Sequence, residues 1–244
     1  MCAMSPGRKV CAVLETARDL FFPLHCAGCA SALATGWFCA ACRKELRTVE
    51  PPRCETCSQP FTGAMDRFVC VNCRGRAFHF ECAVAVMQSR GILRDLIHRL
   101  KYNGELWLAQ PLGDLLEQGL ADERLAGEEF DAVVPVPLHP LRRREREFNQ
   151  AEILGRELAR RRGWLFLEAL QRTRYTLTQT HFDRARRMQN LRDAFSMQRN
   201  AAVQGKHLLL VDDVLTTGST LDECARVLLE AGAQSVHALT VARG

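Results

Sequence analysis

Residues 208 to 220 read Leu-Leu-Leu-Val-Asp-Asp-Val-Leu-Thr-Thr-Gly-Ser-Thr, and this stretch constrains the fold more than any other in the chain. Four consecutive apolar residues bounded by a polar turn suit a parallel strand covered on both faces. Beyond the turn, Leu221, Ala225, Leu228 and Leu229 recur at helical spacing, and Gly232 supplies a stop. The order is therefore strand, loop, helix. Such a loop presents unpaired backbone N–H groups at the positive end of a helix dipole. Thr216, Thr217, Ser219 and Thr220 add hydroxyl donors, and Gly218 allows close backbone approach. A phosphate fits there.

Asp212 and Asp213 add what a plain phosphate loop lacks, because two carboxylates at a strand end can accept hydrogen bonds from neighbouring sugar hydroxyls. Ribose 5-phosphate is the simplest ligand with both features. No Gly-Lys-Ser/Thr occurs in the loop and Gly218 stands alone, so neither the Walker A nor the dinucleotide pattern applies. The run from Asp212, Asp213, Val214 and Leu215 to Thr220 closely resembles the phosphoribosyltransferase signature. That resemblance implies that the acids hold the ribose 2′ and 3′ hydroxyls and that the loop wraps the 5-phosphate of phosphoribosyl pyrophosphate (PRPP).

The cysteines form a second pattern: Cys26/Cys29, Cys39/Cys42, Cys54/Cys57 and Cys70/Cys73 are four Cys-x-x-Cys pairs. Each pair can aim two thiolates at one metal, and two pairs complete a tetrahedral four-sulfur Zn²⁺ site of the closed, structural type. Two structural zinc ions are expected. Disulfides, iron–sulfur clusters and redox pairs are the alternatives; a cytosolic redox poise and the fourfold repetition argue against them. Nine residues separate the first two pairs and twelve the second two, which makes pairing in sequence order the simplest arrangement and leaves a cross-braced one open. His79 and Cys82 follow closely enough to substitute as ligands, but eight better-placed thiols make them packing residues.

At 244 residues the chain has room for about two domains. Hydrophobic residues at 47% and charged residues at 25% are ordinary for a globular protein, and no apolar run reaches the roughly 18 residues of a membrane span. Residues 1–23 are expected to form an amphipathic helix, since Val10, Val13, Leu14, Ala17, Phe21 and Phe22 are interrupted by Glu15, Arg18 and Asp19, unlike a secretory signal. A cytoplasmic location is expected. Residues 24–88 form a cysteine-rich module, and near residue 90 the pattern changes to alternating helices and strands, giving a second module over 89–244. There the spacing predicts helices at 92–100, 106–119 and 149–162, strands at 130–136, 164–167, 207–211 and 236–241, and a helix after the Thr/Gly loop. This layout is α/β, a parallel sheet flanked by helices with ligands beyond the carboxyl ends of its strands. The strand at 130–136 runs into Pro137, Leu138, His139 and Pro140, a stiff proline-rich turn that is expected to continue neither helix nor sheet.

Several segments together resemble the ComF family, including its ComFC- and GntX-like members: Leu100-Lys101-Tyr102, Val134 to Leu138, Arg146 to Gln150, Gln179, Arg187, Asn190-Leu191 and Val211 to Thr220. The resemblance covers nearly the whole chain and implies a double zinc ribbon followed by a type I phosphoribosyltransferase-like domain. It departs at Glu147, where the family usually has glycine. By the same resemblance, Pro137, Leu138 and His139 cup the pyrophosphate, and the polar segment 171–193, with its arginines, matches the mobile loop over the substrate. Transfer would require Mg²⁺ on the pyrophosphate and cations to stabilise its departure, for which Lys101, Arg174 and Arg187 are candidates beside Asp212 and Asp213. Nothing in the sequence identifies a nucleophile.

The competing function is binding of nucleic acid. Net charge is +5, and arginines cluster at 142–146, 160–162 and 184–187. The pI of about 8.7 is below the value of about 9 expected of a dedicated binder, and an aromatic content of 7% supplies few stacking platforms. The ComF resemblance nevertheless points to PRPP binding joined to natural competence: uptake and handling of internalised single-stranded DNA, with a helicase partner at the inner face of the cytoplasmic membrane. The alternative is an active transferase that moves ribose 5-phosphate from PRPP to a nitrogen nucleophile.

Overall fold

The computed structural model describes residues 24–63, 68–174 and 193–244, and the helix expected over 1–23 lies outside them. Two compact units divide between Leu46 and Arg47. In the first, strands β1 (Leu24–His25) and β2 (Ala32–Leu33) pair antiparallel, and helix α1 (Ala40–Glu45) follows with Cys39 as its N-cap.

The second unit runs β3 (Ala83–Gln88), α2 (Gly91–Asn103), α3 (Ala109–Gln118), β4 (Ala132–Pro135), α4 (Pro140–Arg146), α5 (Gln150–Arg162), β5 (Leu165–Phe166), β6 (Leu170–Arg172), β7 (Phe195–Met197), β8 (His207–Leu215), α6 (Ser219–Glu230) and β9 (Ser235–Arg243). Five strands form one parallel sheet in the order β3-β9-β8-β4-β5, and β6 pairs antiparallel with β7 apart from it. The central strands are apolar on both faces: Leu208, Leu209, Leu210 and Val211 are all buried. Burying a leucine side chain this fully contributes about 1.5–3 kcal/mol, which is why such a run occupies the middle of the sheet. On one face, α5 lies close because Gly155 has no Cβ; one built there would meet Val133 Cγ1 at 3.2 Å and Phe166 Cε2 at 3.3 Å. On the other, α6 shares a core with β6, β7 and the cysteines of the second cluster.

The chain passes from β4 outward to β5, then returns to the opposite side of β4 to form β8. This reversal opens a crevice between the carboxyl ends of β4 and β8, the place where open α/β sheets bind ligands.

Four differences from the sequence expectations have identifiable causes. Strand β8 continues four residues past 211 because β9 runs alongside it as far as the Leu215–Arg243 pairing. The proline-rich turn does lead into a helix: Pro140 takes the first position of α4, where its missing N–H costs nothing. The helix expected at 106–119 opens as a 3₁₀ turn over Leu106–Leu108 before α3. Strand β3 lies before the composition change near residue 90, inside the cysteine-rich stretch, and forms an edge of the sheet.

Glu147 caps α4 at φ +66°, a conformation that suits glycine. Replacing Glu147 with glycine is expected to raise stability by about 1 kcal/mol, read from chemical denaturation midpoints, because the left-handed strain is removed.

Candidate functional site

The β8 carboxylates sit beyond the last β4 pairing, Pro135 with Val211, but within the β8–β9 ladder. Asp213, buried, turns towards α2 and α5: Lys101 Nζ forms an ion pair with its Oδ2, and Gln150 Nε2 donates to its Oδ1 at 3.1 Å. Half-buried Asp212 accepts the Asp213 backbone N–H at 2.9 Å. Burial opposes charge on Asp213, but the Lys101 ammonium and the hydrogen bonds from Lys101 and Gln150 outweigh it and hold this carboxyl below the usual aspartate range. Burial, and then the negative charge of Asp213, pushes Asp212 well above that range. One acid is kept ionised and its neighbour is kept reluctant to ionise.

Gln150 is a residue of the candidate site that the sequence reading left among the family segments without a role. Asn149 caps α5 by accepting the Ala151 N–H at 3.1 Å and donates to the Val136 carbonyl at 3.0 Å, which fixes the entry of the helix against β4. Gln150 is thereby aimed at Asp213 and also accepts from Arg146 at 3.2 Å, whose guanidinium lies over the Tyr102 ring at 4.9 Å. A buried amide one residue after an N-cap Asn was the available signal.

The Thr/Gly loop leaves β8 at Thr216 and enters α6 through Gly218, φ +77°. Thr217 Oγ1 bonds Ser219 Oγ at 3.1 Å, drawing two hydroxyls of the loop together. Pro137 and Leu138 line a cleft of about 560 Å³ with Arg143, Arg144 and Arg172. His139 caps α4, its Nδ1 accepting the Leu141 N–H at 3.2 Å. Arg174 lies exposed just beyond β6, and Arg187 lies outside the described residues. Of the arginine clusters, Arg160 and Arg161 are engaged by Glu157, Arg161 also by Asp114 and Glu117, and Arg143 by Glu152, which reduces their positive field.

The cysteines group in sequence order, Cys26, Cys29, Cys39 and Cys42 in one cluster and Cys54, Cys57, Cys70 and Cys73 in the other, with the sulfurs of each cluster all within 4.8 Å of one another. Cys29 to Cys39 and Cys57 to Cys70 are both 3.7 Å apart. A zinc tetrahedron with Zn–S of about 2.3 Å has edges of about 3.8 Å, so both sets fit the ion. Backbone N–H groups of Cys39 and Cys70 point at Cys26 and Cys54 sulfurs at 3.2 and 3.4 Å, as charged thiolates require. Cys82 is buried elsewhere and His79 pairs with Asp222.

A family model described as a double zinc ribbon domain matches residues 17–77, and one described as a phosphoribosyl transferase domain matches residues 167–244. The DNA utilization protein YhgH of Escherichia coli (strain K12) is 37% identical over 233 residues, 92% of this chain and 99% of that protein. Competence protein F of Haemophilus influenzae is 30% identical over 232 residues, 91% of this chain and 98% of its own. The chain belongs to the ComF family. Competence protein ComFC of Bacillus subtilis is a more distant ComF relative, 25% identical over 84% of this chain and 83% of its own. Among the described residues no helix is long and apolar enough to cross a membrane.

Two outcomes follow for this ComF site. Asp212→Asn keeps the acceptor for the Asp213 N–H and removes the buried repulsion, so thermal melts at neutral pH should show a gain of about 1 kcal/mol. The gain should shrink as pH falls towards the ordinary aspartate value of about 3.9, where Asp212 is protonated in the unfolded chain as well as in the fold and its burial no longer costs stability. Lys101→Met should cost about 2 kcal/mol by leaving Asp213 charged and unpaired, and combining it with Asp213→Asn should cost less than the sum of the two single changes.

Proposed function

We propose that this protein binds Mg²⁺–PRPP in the β4/β8 crevice and acts in natural competence, in the uptake and handling of internalised single-stranded DNA. The observation that carries the reading is the convergence at one topological switch point of paired acids, a Thr/Gly loop entering a helix through Gly218, and the Pro137–His139 turn. The printed names of the relatives, DNA utilization and competence proteins, supply the biological setting. Asp212 and Asp213 accept the ribose hydroxyls, residues 216–220 hold the 5-phosphate, and Pro137, Leu138 and His139 face the pyrophosphate. Lys101 and Arg174 supply nearby positive charge, and Arg187 belongs to the same set by its motif. Mg²⁺ arrives with the pyrophosphate oxygens, the ligands it favours. The protein acts in the cytoplasm, at the inner membrane face with a helicase partner.

A second reading, transfer of ribose 5-phosphate to a nitrogen nucleophile, is favoured by the cleft of about 560 Å³ beside Pro137, which has room for an acceptor. The C1–O bond to pyrophosphate would break as a C1–N bond forms, with the acceptor proton passing to a base.

Calorimetric titration with PRPP and Mg²⁺ tests the main reading: binding should weaken at least about tenfold in Asp212→Asn, which loses a charge-assisted hydrogen bond while remaining folded. Absence of binding to the unaltered protein overturns it. Binding of single-stranded DNA should weaken steeply and linearly on a log–log salt plot, whereas pyrophosphate release on adding an acceptor would favour the second reading.

A further inference from the structure

The second cysteine cluster is tied to the phosphate loop by four separate contacts. Buried Arg243, near the end of β9, donates from Nη1 to the Leu215 carbonyl at 3.1 Å and from Nη2 to the Cys57 sulfur at 3.8 Å. It therefore joins a metal-facing sulfur to the last residue before Thr216. Arg76 Nη1 donates to the Thr217 carbonyl at 3.5 Å, with its guanidinium 4.2 Å over the Phe78 ring, while its own N–H bonds the Cys73 carbonyl at 3.1 Å. Phe78 and Phe80 stack with centroids 4.8 Å apart directly beneath Gly218, where an added Cβ would meet them at 3.5 and 3.6 Å. His79 completes the set, its backbone N–H at 2.7 Å and its ring Nδ1 at 2.9 Å from Asp222 Oδ1 in the first turn of α6.

The turn that carries these contacts has little else to hold it. Cys70 and Cys73 are buried, but Val71 is 80% exposed, and Arg74 and Gly75 also face solvent. The exposed tip of the turn, Val71 with Arg74 and Gly75, is spanned by Cys70 and Cys73, so a metal bound by those thiolates fixes its shape. Four thiolates around Zn²⁺ carry a net charge of −2, which the Arg243 guanidinium partly offsets.

We propose that the second zinc centre sets the conformation of the Thr216–Thr220 loop, and that occupancy of this loop by a ribose 5-phosphate group in turn strengthens the hold on that zinc, with Arg243 and Arg76 as positioning residues. The reciprocity is thermodynamic: a metal that favours the binding-competent loop must be favoured by whatever binds that loop. The first zinc centre lies in a separate unit and takes no part. The inference rests on the PRPP reading above.

The test follows zinc release from the full-length, zinc-loaded protein to a chromogenic chelator, with and without saturating Mg²⁺–PRPP. Magnesium pyrophosphate serves as a control that has the same metal-binding group but no ribose 5-phosphate. The Cys26→Ser/Cys29→Ser variant identifies which release phase belongs to the first centre. PRPP should slow the second-centre phase about tenfold and leave the first unchanged, within the usual range of coupling between sites. Arg243→Met should bring release with PRPP close to release without it, while calorimetry still detects PRPP; if that variant does not fold, Arg76→Met on the half-buried turn replaces it. Calorimetric PRPP binding with no change in zinc release overturns the coupling and leaves the PRPP reading standing. Full protection in both arginine variants overturns their positioning role, and failure of PRPP to bind the unaltered protein removes both readings.

Discussion

Two carboxylates side by side at the end of a buried strand repel one another, and much of the second unit is arranged around that repulsion. Lys101 comes from the last turn of α2, and Gln150 from the first of α5, to meet Asp213. Each is placed by its own helix boundary, Lys101 before the left-handed Gly104 and Gln150 after the Asn149 cap. A charge held in this way is expensive to strand, so the helices that supply the partners are locked to the sheet end by electrostatics as well as by apolar packing. Asp212 is left with a suppressed tendency to ionise, a cost that a protein retains where function needs the group.

The second cysteine cluster is as much a part of the sheet's architecture as a helix would be. Thr56 accepts the Ala83 N–H at 2.8 Å, and Ser58 bonds both the Ala83 carbonyl and the Ala85 N–H of edge strand β3. Arg124, itself held by Asp122, donates to the Cys54 and Glu55 carbonyls and to Ser58. These contacts bring polar partners to the turns of the cluster that the apolar core cannot satisfy. The cluster also covers part of the sheet face that α6 leaves open. Its position beside the Thr216–Thr220 loop makes a metal site of structural type a neighbour of the candidate ligand site, although the two lie more than 140 residues apart in sequence.

Local signals were legible where a single element carried them. The strand–loop–helix at 207–230, the four cysteine pairs and α5 each state their structure through residue type and spacing within one continuous stretch, so periodicity and spacing suffice. Strand β3 was hidden because Ala83 to Met87 follows the last cysteine pair without a break in composition, and only pairing with β9 identifies it as sheet. The length of β8 was hidden for the same reason: Asp212 and Asp213 read as a strand end, and their extended backbone depends on β9 beside them.

By itself the sequence determined the chemistry available: eight thiols paired for metal, two acids, a hydroxyl-rich loop and a parallel α/β layout, because these depend on residue type and short-range spacing. Tertiary structure alone decided which acid stays ionised, that Gln150 and Lys101 attend Asp213, and that Arg76 and Arg243 bind the second cysteine cluster to the loop. Those outcomes depend on burial and on charges brought together from distant parts of the chain, and neither quantity exists until the sheet has closed its register.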